Sequence, residues 1–255
     1  MENLSISISL NGITYEIASS MRERGEELIL LLHGLGCSKE FFRDIWIRDE
    51  FKNYSILAID LPGFGESSKP DGFSYKMDDH ALVCAEVLKE FSSKQLHIVA
   101  HSMGGAIGLL FPPAVLNRTL SFANLEGNLI SEDCGILSRK TIDLPFHKFE
   151  KDVLPGFKVQ FKSLGEGRFF LDSSSPWGFY NSAQSLVFWS DSGQLLSRFK
   201  NLPCKKAYFY GESNSSLEVL RQLDEIEKIE ISKSGHFVAN DNVDEFYFRL
   251  KTFLC

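Results

Sequence analysis

The sequence has no long hydrophobic run, no excess of basic residues and few cysteines. No apolar segment approaches the roughly 20 residues that a membrane-spanning helix needs, so we expect no stable membrane insertion. The 255 residues carry a formal charge of −7, whereas binding to phosphate backbones needs a basic surface, so nucleic acid is not an expected partner. The five cysteines are odd in number and widely spaced. This pattern predicts neither a disulfide framework nor a metal site and is typical of a cytoplasmic protein.

The first residues read as a strand and not as a secretory signal. They lack a positively charged stretch followed by an apolar core, and Ile6, Ile8 and Leu10 alternate with polar residues as in a strand with one buried face. The pair Asn11-Gly12 then predicts a tight turn into a second strand, because both residues tolerate positive φ.

Short apolar runs alternate with amphipathic stretches along most of the chain. This alternation predicts an α/β fold with a mostly parallel sheet and crossover helices. It stops between residues 128 and 202 and then resumes. We therefore expect an α/β core made of residues 1–127 and 203–255, interrupted by a mainly helical cap of residues 128–202. The expected helices include Lys39–Asp49, Met103–Asn117 (shortened by Pro112-Pro113), Lys151–Leu164 and Asn181–Phe199.

A candidate nucleophile lies where one strand turns into a helix. The predicted strand Leu96–Ala100 runs into His101-Ser102-Met103-Gly104-Gly105, and a helix follows. A serine in such a strand–turn–helix segment is held in strained backbone geometry with its hydroxyl exposed. The turn needs small residues two positions on either side of the serine. Gly104 satisfies this need and Ala100 adds one methyl group, so the segment predicts Ser102 as the nucleophile.

Attack on a carbonyl group also needs preorganised donors for the developing oxyanion. The first predicted donor is the backbone N–H of Met103, at the N-terminus of the helix after the serine. The second is the backbone N–H of Leu35, in the loop after the third strand, which reads His33-Gly34-Leu35-Gly36. We expect the His33 ring to brace this loop and to take no catalytic part.

Histidine is the side chain best matched to activate a serine at neutral pH. Of the six histidines, His236 follows the last strand in the segment Ser234-Gly235-His236. Its loop faces the same sheet edge as Ser102, which predicts His236 as the base. His101 adjoins the serine but is expected to point away from it, and His147 is expected to lie in solvent on the cap.

Together these motifs resemble those of the α/β-hydrolase superfamily. The resemblance rests on His33–Gly36, Asp60–Ser67, Ala100–Gly105 and Ser234–His236, and it extends over the whole expected core. It implies an eight-stranded sheet and a Ser–acid–His triad in that chain order. For Asp60–Ser67 it implies a structural turn beside the pocket.

The acid of the implied triad has three candidates. In most relatives it is an Asp in a Gly-x-x-Asp pattern after the strand that corresponds to Lys206–Tyr210, but here the segment is Gly211-Glu212-Ser213-Asn214. Some members carry the acid at the end of the preceding strand, where this chain has Glu126. A carboxylate at the end of a central apolar strand is costly unless it is paired, so we prefer Glu126 over Glu212 and Asn214.

The expected cap is rich in aromatic residues, and those that are not needed for its own core would give an apolar pocket. We therefore expect a cofactor-independent serine hydrolase of carboxylic esters, which acts on a small-to-medium apolar substrate through an acyl-enzyme. A C–C bond hydrolase or lyase on the same scaffold, and a non-catalytic ligand-binding protein, remain alternatives. The aromatic residues of the expected cap are Phe146, Phe149, Phe157, Phe161, Phe169, Phe170, Trp177, Phe179, Tyr180, Phe188 and Trp189.

Overall fold

A computed structural model describes residues 1–10, 12–162 and 171–255. Within them are eight strands, which are β1 Glu2–Leu10, β2 Ile13–Arg22, β3 Glu27–Leu32, β4 Ser55–Ile59, β5 Gln95–His101, β6 Thr119–Leu125, β7 Lys205–Gly211 and β8 Glu227–Ile231. They form one sheet in the order β1-β2-β4-β3-β5-β6-β7-β8. The pairs β1–β2 and β2–β4 are antiparallel and all others are parallel, which confirms the predicted fold class.

Both faces of the central sheet are covered, which explains the unbroken apolar strands. Along β3, Leu28, Leu30 and Leu32 belong to one buried cluster, whereas Ile29 and Leu31 belong to the cluster on the opposite face. Because side chains alternate between the faces, a strand between two cores must be apolar at every position.

Helices cover the two faces of the sheet. No helix among residues 1–10, 12–162 and 171–255 is both long and apolar enough to cross a bilayer. The α-helices are α1 Met77–Val87, α2 Met103–Leu109, α3 Pro113–Leu116, α4 Ile136–Ile142, α5 Phe146–Lys148, α6 Leu154–Lys162, α7 Pro176–Asp191, α8 Gln194–Lys200, α9 Val219–Gln222, α10 Val238–Asp241 and α11 Val243–Leu254. Five of these described helices, α4 to α8, come between β6 and β7 in the sequence.

Several helices are shorter than the sequence predicts. The segment expected as a helix at Lys39–Asp49 is a 3₁₀ helix over Lys39–Ile47, and the Pro112-Pro113 pair separates α2 from α3 as expected. The single helix expected over Asn181–Phe199 is divided into α7 and α8 at Gly193, whose φ is +68°. Leu164 and the tip of the Asn11-Gly12 turn at Asn11 lie outside the described residues.

The segment between β6 and β7 is anchored on the rest of the protein chiefly through α7. The N–H of Met77, at the start of α1, donates to Ser185 Oγ at 3.0 Å. The indole N–H of Trp189 donates to Asp78 Oδ2 at 3.0 Å, and the N–H of Ser175 donates to the Gly63 carbonyl at 2.7 Å. These bonds tie α7 and its N-cap residue to the start of α1 and to the loop after β4.

Candidate active site

Ser102 lies between β5 and α2 in a strained backbone conformation. Its φ is +51° and its ψ is −120°, a region that non-glycine residues seldom adopt and that is commonly found at functional sites. The serine N–H donates to the Leu125 carbonyl at 3.0 Å, which ties the turn to the end of β6. Ala100, the departure from the glycine pattern, is fully buried, so its methyl group fills core space behind the turn.

Glu126 and His236 are joined by a hydrogen bond, although they lie 110 residues apart in the sequence. His236 Nδ1 lies 2.8 Å from Glu126 Oε2, and only the ring nitrogen can supply the proton if the carboxylate is ionised. The Nδ1 position is then occupied, and Nε2 is left with a free lone pair. Glu126 has a φ of +43°, which turns the chain sharply at the end of β6.

The Glu126 carboxylate is held by two further donors. Oε1 accepts from the Gly211 N–H at 2.8 Å, and the Asn214 amide donates to both carboxylate oxygens at 2.9 Å. Burial alone would raise the pKa of Glu126, but the hydrogen bond and charge of His236, together with these donors, lower that pKa below its ordinary value. The carboxylate is therefore ionised at neutral pH.

The two other candidates for the acid lie differently. Asn214 holds Glu126, so the residue at the family's usual acid position supports the carboxylate that contacts His236. Glu212 is exposed, and its Oε2 accepts from the N–H of Lys233 at 2.7 Å. The sequence did not predict the supporting roles of Asn214 and Gly211. The feature that could have indicated the role of Asn214 is its amide, which replaces the Asp of the Gly-x-x-Asp pattern.

Of the two predicted oxyanion donors, Met103 directly follows the serine, and Leu35 lies in the loop after β3. Met103 is the first residue of α2, so its N–H has no partner within the helix, and Leu35 lines the same cavity as Ser102. The bracing role predicted for His33 is confirmed. Its Nδ1 lies 2.8 Å from the Gly34 carbonyl, while its Nε2 accepts from the Leu61 N–H at 3.0 Å.

The Asp60–Ser67 segment supports the same loop from outside the cavity. Asp60 accepts from the Lys39 backbone N–H at 2.6 Å and from Lys39 Nζ at 3.0 Å. The N–H of Glu66 donates to the same carboxylate at 2.9 Å. This buried ion pair joins the end of the Leu35 loop to the turn after β4.

His101 is buried and contacts His236, a contact that the sequence did not predict. Its Nε2 lies 3.0 Å from the backbone carbonyl of His236, and the centres of the two rings are 4.7 Å apart. His147 is exposed on the α5 helix, as expected.

A cavity of about 410 Å³ contains both Ser102 and His236 in its lining. Its apolar wall comes largely from the helices between β6 and β7 and from the loops beneath them. Of the aromatic residues of the expected cap, Phe157 and Phe161 reach the cavity, while Phe169 and Phe170 lie outside the described residues. The apolar lining residues are Leu35, Leu137, Phe157, Phe161, Leu186, Leu217 and Phe237.

Asp133 adds a half-buried carboxyl group to the cavity wall. Its Oδ2 accepts from the N–H groups of Leu129 and Ile130 at 2.8 and 3.0 Å. Burial nevertheless raises the pKa of Asp133 from 3.8 to about 6, and the negative charges of Glu132 and Glu126 act in the same direction. The folded protein therefore binds this proton more tightly than the unfolded chain does.

Replacement of Asp133 by Asn is expected to stabilise the protein at neutral pH. Between pH 3.8 and about 6, the unfolded state loses the proton first, so the wild type loses stability as the pH rises. The cost reaches about 3 kcal/mol above pH 6, at about 1.4 kcal/mol per pH unit. The Asn side-chain oxygen can still accept from both N–H groups. Urea unfolding at pH 4.5 and 7.5 measures the free energy of unfolding of the wild type and of Asp133→Asn. If this free energy changed equally with pH in both proteins, the prediction would be contradicted.

Comparisons with known proteins agree with this architecture. A family model described as "alpha/beta hydrolase fold" matches residues 27–129, a range that contains Leu35, Ser102 and Glu126. Bromoperoxidase from Bacillus anthracis superimposes with a TM-score of 0.80 at 18% identity, over 99% of each chain. This likeness shows that the fold is shared along the whole chain.

Two curated relatives are more similar in sequence but over shorter stretches. Probable lysophospholipase BODYGUARD 4 of Arabidopsis thaliana is 36% identical over 91 residues, which cover 35% of this chain and 22% of that protein. Lipase 3 of Moraxella sp. (strain TA144) is 36% identical over 86 residues, which cover 33% of this chain and 27% of that protein. The chain thus spans about a quarter of the length of these relatives. On its structural likeness and its family-model match, the chain has the α/β-hydrolase fold.

Proposed function

We propose that the protein is a serine hydrolase that cleaves carboxylic esters through an acyl-enzyme intermediate. Ser102 is the nucleophile, His236 the base and Glu126 the acid, and the N–H groups of Leu35 and Met103 form the oxyanion hole. The observation that carries the proposal is the 2.8 Å bond between His236 Nδ1 and Glu126. It leaves Nε2 of the base free in a cavity that Ser102 also lines.

Each step follows from these assignments. Ser102 Oγ attacks the ester carbonyl carbon while its proton passes to His236 Nε2, and the two backbone N–H groups stabilise the oxyanion. The tetrahedral intermediate collapses, and the leaving alcohol takes the proton from His236. Water then attacks the acyl group with the same base, which releases the acid and restores Ser102. Glu126 keeps the imidazole oriented and stabilises its cationic form.

The cavity supports an apolar substrate of small to medium size. Its volume of about 410 Å³ and its Leu and Phe lining suit an acyl chain or an aromatic group. Two relatives are named as a probable lysophospholipase and a lipase, and both names describe cleavage of an ester bond. The apolar lining and the names of these relatives together support an apolar ester as the substrate.

We also propose that residues 128–202 act as the cap over a core of residues 1–127 and 203–255. In support, the cavity wall takes Leu137, Phe157 and Leu186 from the cap range and the serine from the core range. A cytoplasmic location is proposed from the odd number and wide spacing of the five cysteines, which suit a reducing compartment.

Labelling with a fluorophosphonate probe tests the proposal. The wild type is expected to be labelled at Ser102, and a Ser102→Ala variant is expected to be unlabelled. A series of p-nitrophenyl esters of graded chain length should then show turnover that falls once the acyl chain exceeds the cavity. A folded wild type that is neither labelled nor active on any ester would contradict the proposal and favour a ligand-binding role.

A further inference from the structure

We propose that His101 is a positioning residue that anchors the backbone of the base, His236. The inference rests on the proposed function, since it assigns His101 a part in keeping the base aligned with Ser102. His101 directly precedes the serine, so one dipeptide would carry the nucleophile and hold the loop of its base.

The hydrogen bond to the base loop has a defined direction. His101 Nε2 lies 3.0 Å from the carbonyl oxygen of His236, and a carbonyl oxygen can only accept. The proton of a neutral His101 ring is therefore on Nε2, and Nδ1 is bare. Within the described residues, Nδ1 is buried and has no hydrogen-bond partner, which is consistent with this tautomer.

The ring keeps this form over the physiological pH range. Burial lowers the pKa of His101 well below its ordinary value, and the nearby positive charge that His236 would carry lowers it further. His101 and His236 are in contact, but the desolvated His101 ring stays neutral while the proposed base accepts the serine proton. This difference keeps the anchor constant while the base changes charge during turnover.

The His101 ring is itself held in a fixed position. It stacks on Phe41 with ring centres 4.2 Å apart and an angle of 15° between the planes. On another side it lies close to Gly34, where an added Cβ would be 2.8 Å from Nδ1. The ring therefore contacts the loop after β3, which carries Leu35, as well as the loop after β8.

The base needs such an anchor because its own side chain is 42% exposed. The Glu126 bond restrains only one edge of the imidazole, so the position of Nε2 depends on where the backbone of His236 lies. A displacement of about 1 Å between reacting groups can cost on the order of 100-fold in rate. Loss of the anchor should therefore lower kcat and leave KM almost unchanged.

Two amide variants distinguish the effect of the hydrogen bond to the His236 carbonyl from the effect of filling the space of the His101 ring. In His101→Gln the amide nitrogen reaches about the position of Nε2 and can donate to the His236 carbonyl, whereas in His101→Asn it reaches only the Nδ1 position. We expect His101→Gln to retain kcat within about 3-fold. We expect His101→Asn to lose roughly 10- to 100-fold in kcat, with an equal loss in the rate of fluorophosphonate labelling and KM within about 2-fold.

The controls distinguish failure of this inference from failure of the proposed function. A wild type that is neither labelled nor active overturns the proposed function. An active wild type with equal losses in both variants, or with none in either, overturns the role of His101. A readout that needs no substitution is ¹⁵N NMR of the histidine rings. We expect His101 to remain the neutral Nε2–H tautomer from pH 5.5 to 8, and a protonated ring or a proton on Nδ1 would refute the anchor.

Discussion

Replacing Glu126 by Gln is expected to lower the turnover of a p-nitrophenyl ester by roughly 10³- to 10⁴-fold while the protein stays folded. The substitution keeps the size of the side chain and a carbonyl oxygen that can accept from the Gly211 N–H and the Asn214 amide. What it removes is the negative charge 2.8 Å from His236 Nδ1, which stabilises the imidazolium formed in each step.

The amide has a second effect on the base. Where the Gln side chain turns its NH₂ group toward His236, that group meets the Nδ1 proton, and the ring is driven to the tautomer with its proton on Nε2. A ring in that tautomer cannot accept the serine proton. We therefore expect a fall in kcat, and a smaller change in KM, measured by steady-state kinetics with circular dichroism as the check of folding.

Glu212→Gln is the matched control, since it makes the same chemical change two positions before Asn214. Its carboxylate is exposed and accepts from the Lys233 N–H, so we expect activity within about 2-fold of the wild type. If Glu212→Gln abolished turnover and Glu126→Gln did not, the acid assigned here would be wrong.

Gly104→Ala is expected to destabilise the protein by about 3 kcal/mol or more. A Cβ at this position would lie 2.5 Å from the Leu32 carbonyl oxygen and 2.8 Å from that of His33. These are backbone atoms of β3 and the loop after it, so neither can move aside as a flexible side chain could. Helix α2 would have to shift away from the sheet and carry the serine turn with it.

Gly156→Ala is the control, because Gly156 is a glycine with room for an added methyl group. Gly156 lies in α6, and among the described residues no atom beyond its chain neighbours and its own helical backbone is within 4 Å of an added Cβ. Alanine should therefore stabilise the protein by about 0.5–1 kcal/mol, because it lowers the entropy of the unfolded chain and favours helix. Urea unfolding of both variants measures the contrast. Equal stability of Gly104→Ala and the wild type would refute the packing argument.

The local parts of the candidate site could be predicted because short-range rules govern them. A strand that turns into a helix at Ser102 needs small neighbours, and Gly104 supplies one. The loops after parallel strands meet at one sheet edge, which made His236 the best of six histidines. The glycine-rich loop at Leu35 and the brace from His33 follow from similar local reasoning.

The sequence favoured Glu126 as the acid but left Glu212 and Asn214 as alternatives. Glu126 lies 88 residues from Asn214 and 110 from His236, so neither contact leaves a local pattern. The amide at the usual acid position indicated that the acid had moved, and the cost of an unpaired carboxylate at a strand end favoured Glu126, but neither showed the contact with His236. The contact between His101 and His236 was missed for the same reason, since it joins loops 135 residues apart.

The sequence by itself determined the α/β architecture, the strained serine turn and the loop that carries the proposed base, because periodicity and turn chemistry act over a few residues. Only the tertiary structure decided which carboxylate meets His236, what holds that carboxylate and how large the cavity is. These features depend on where the ends of β6, β7 and β8 lie relative to one another. That arrangement is set by packing across the whole sheet and is not encoded in any one segment.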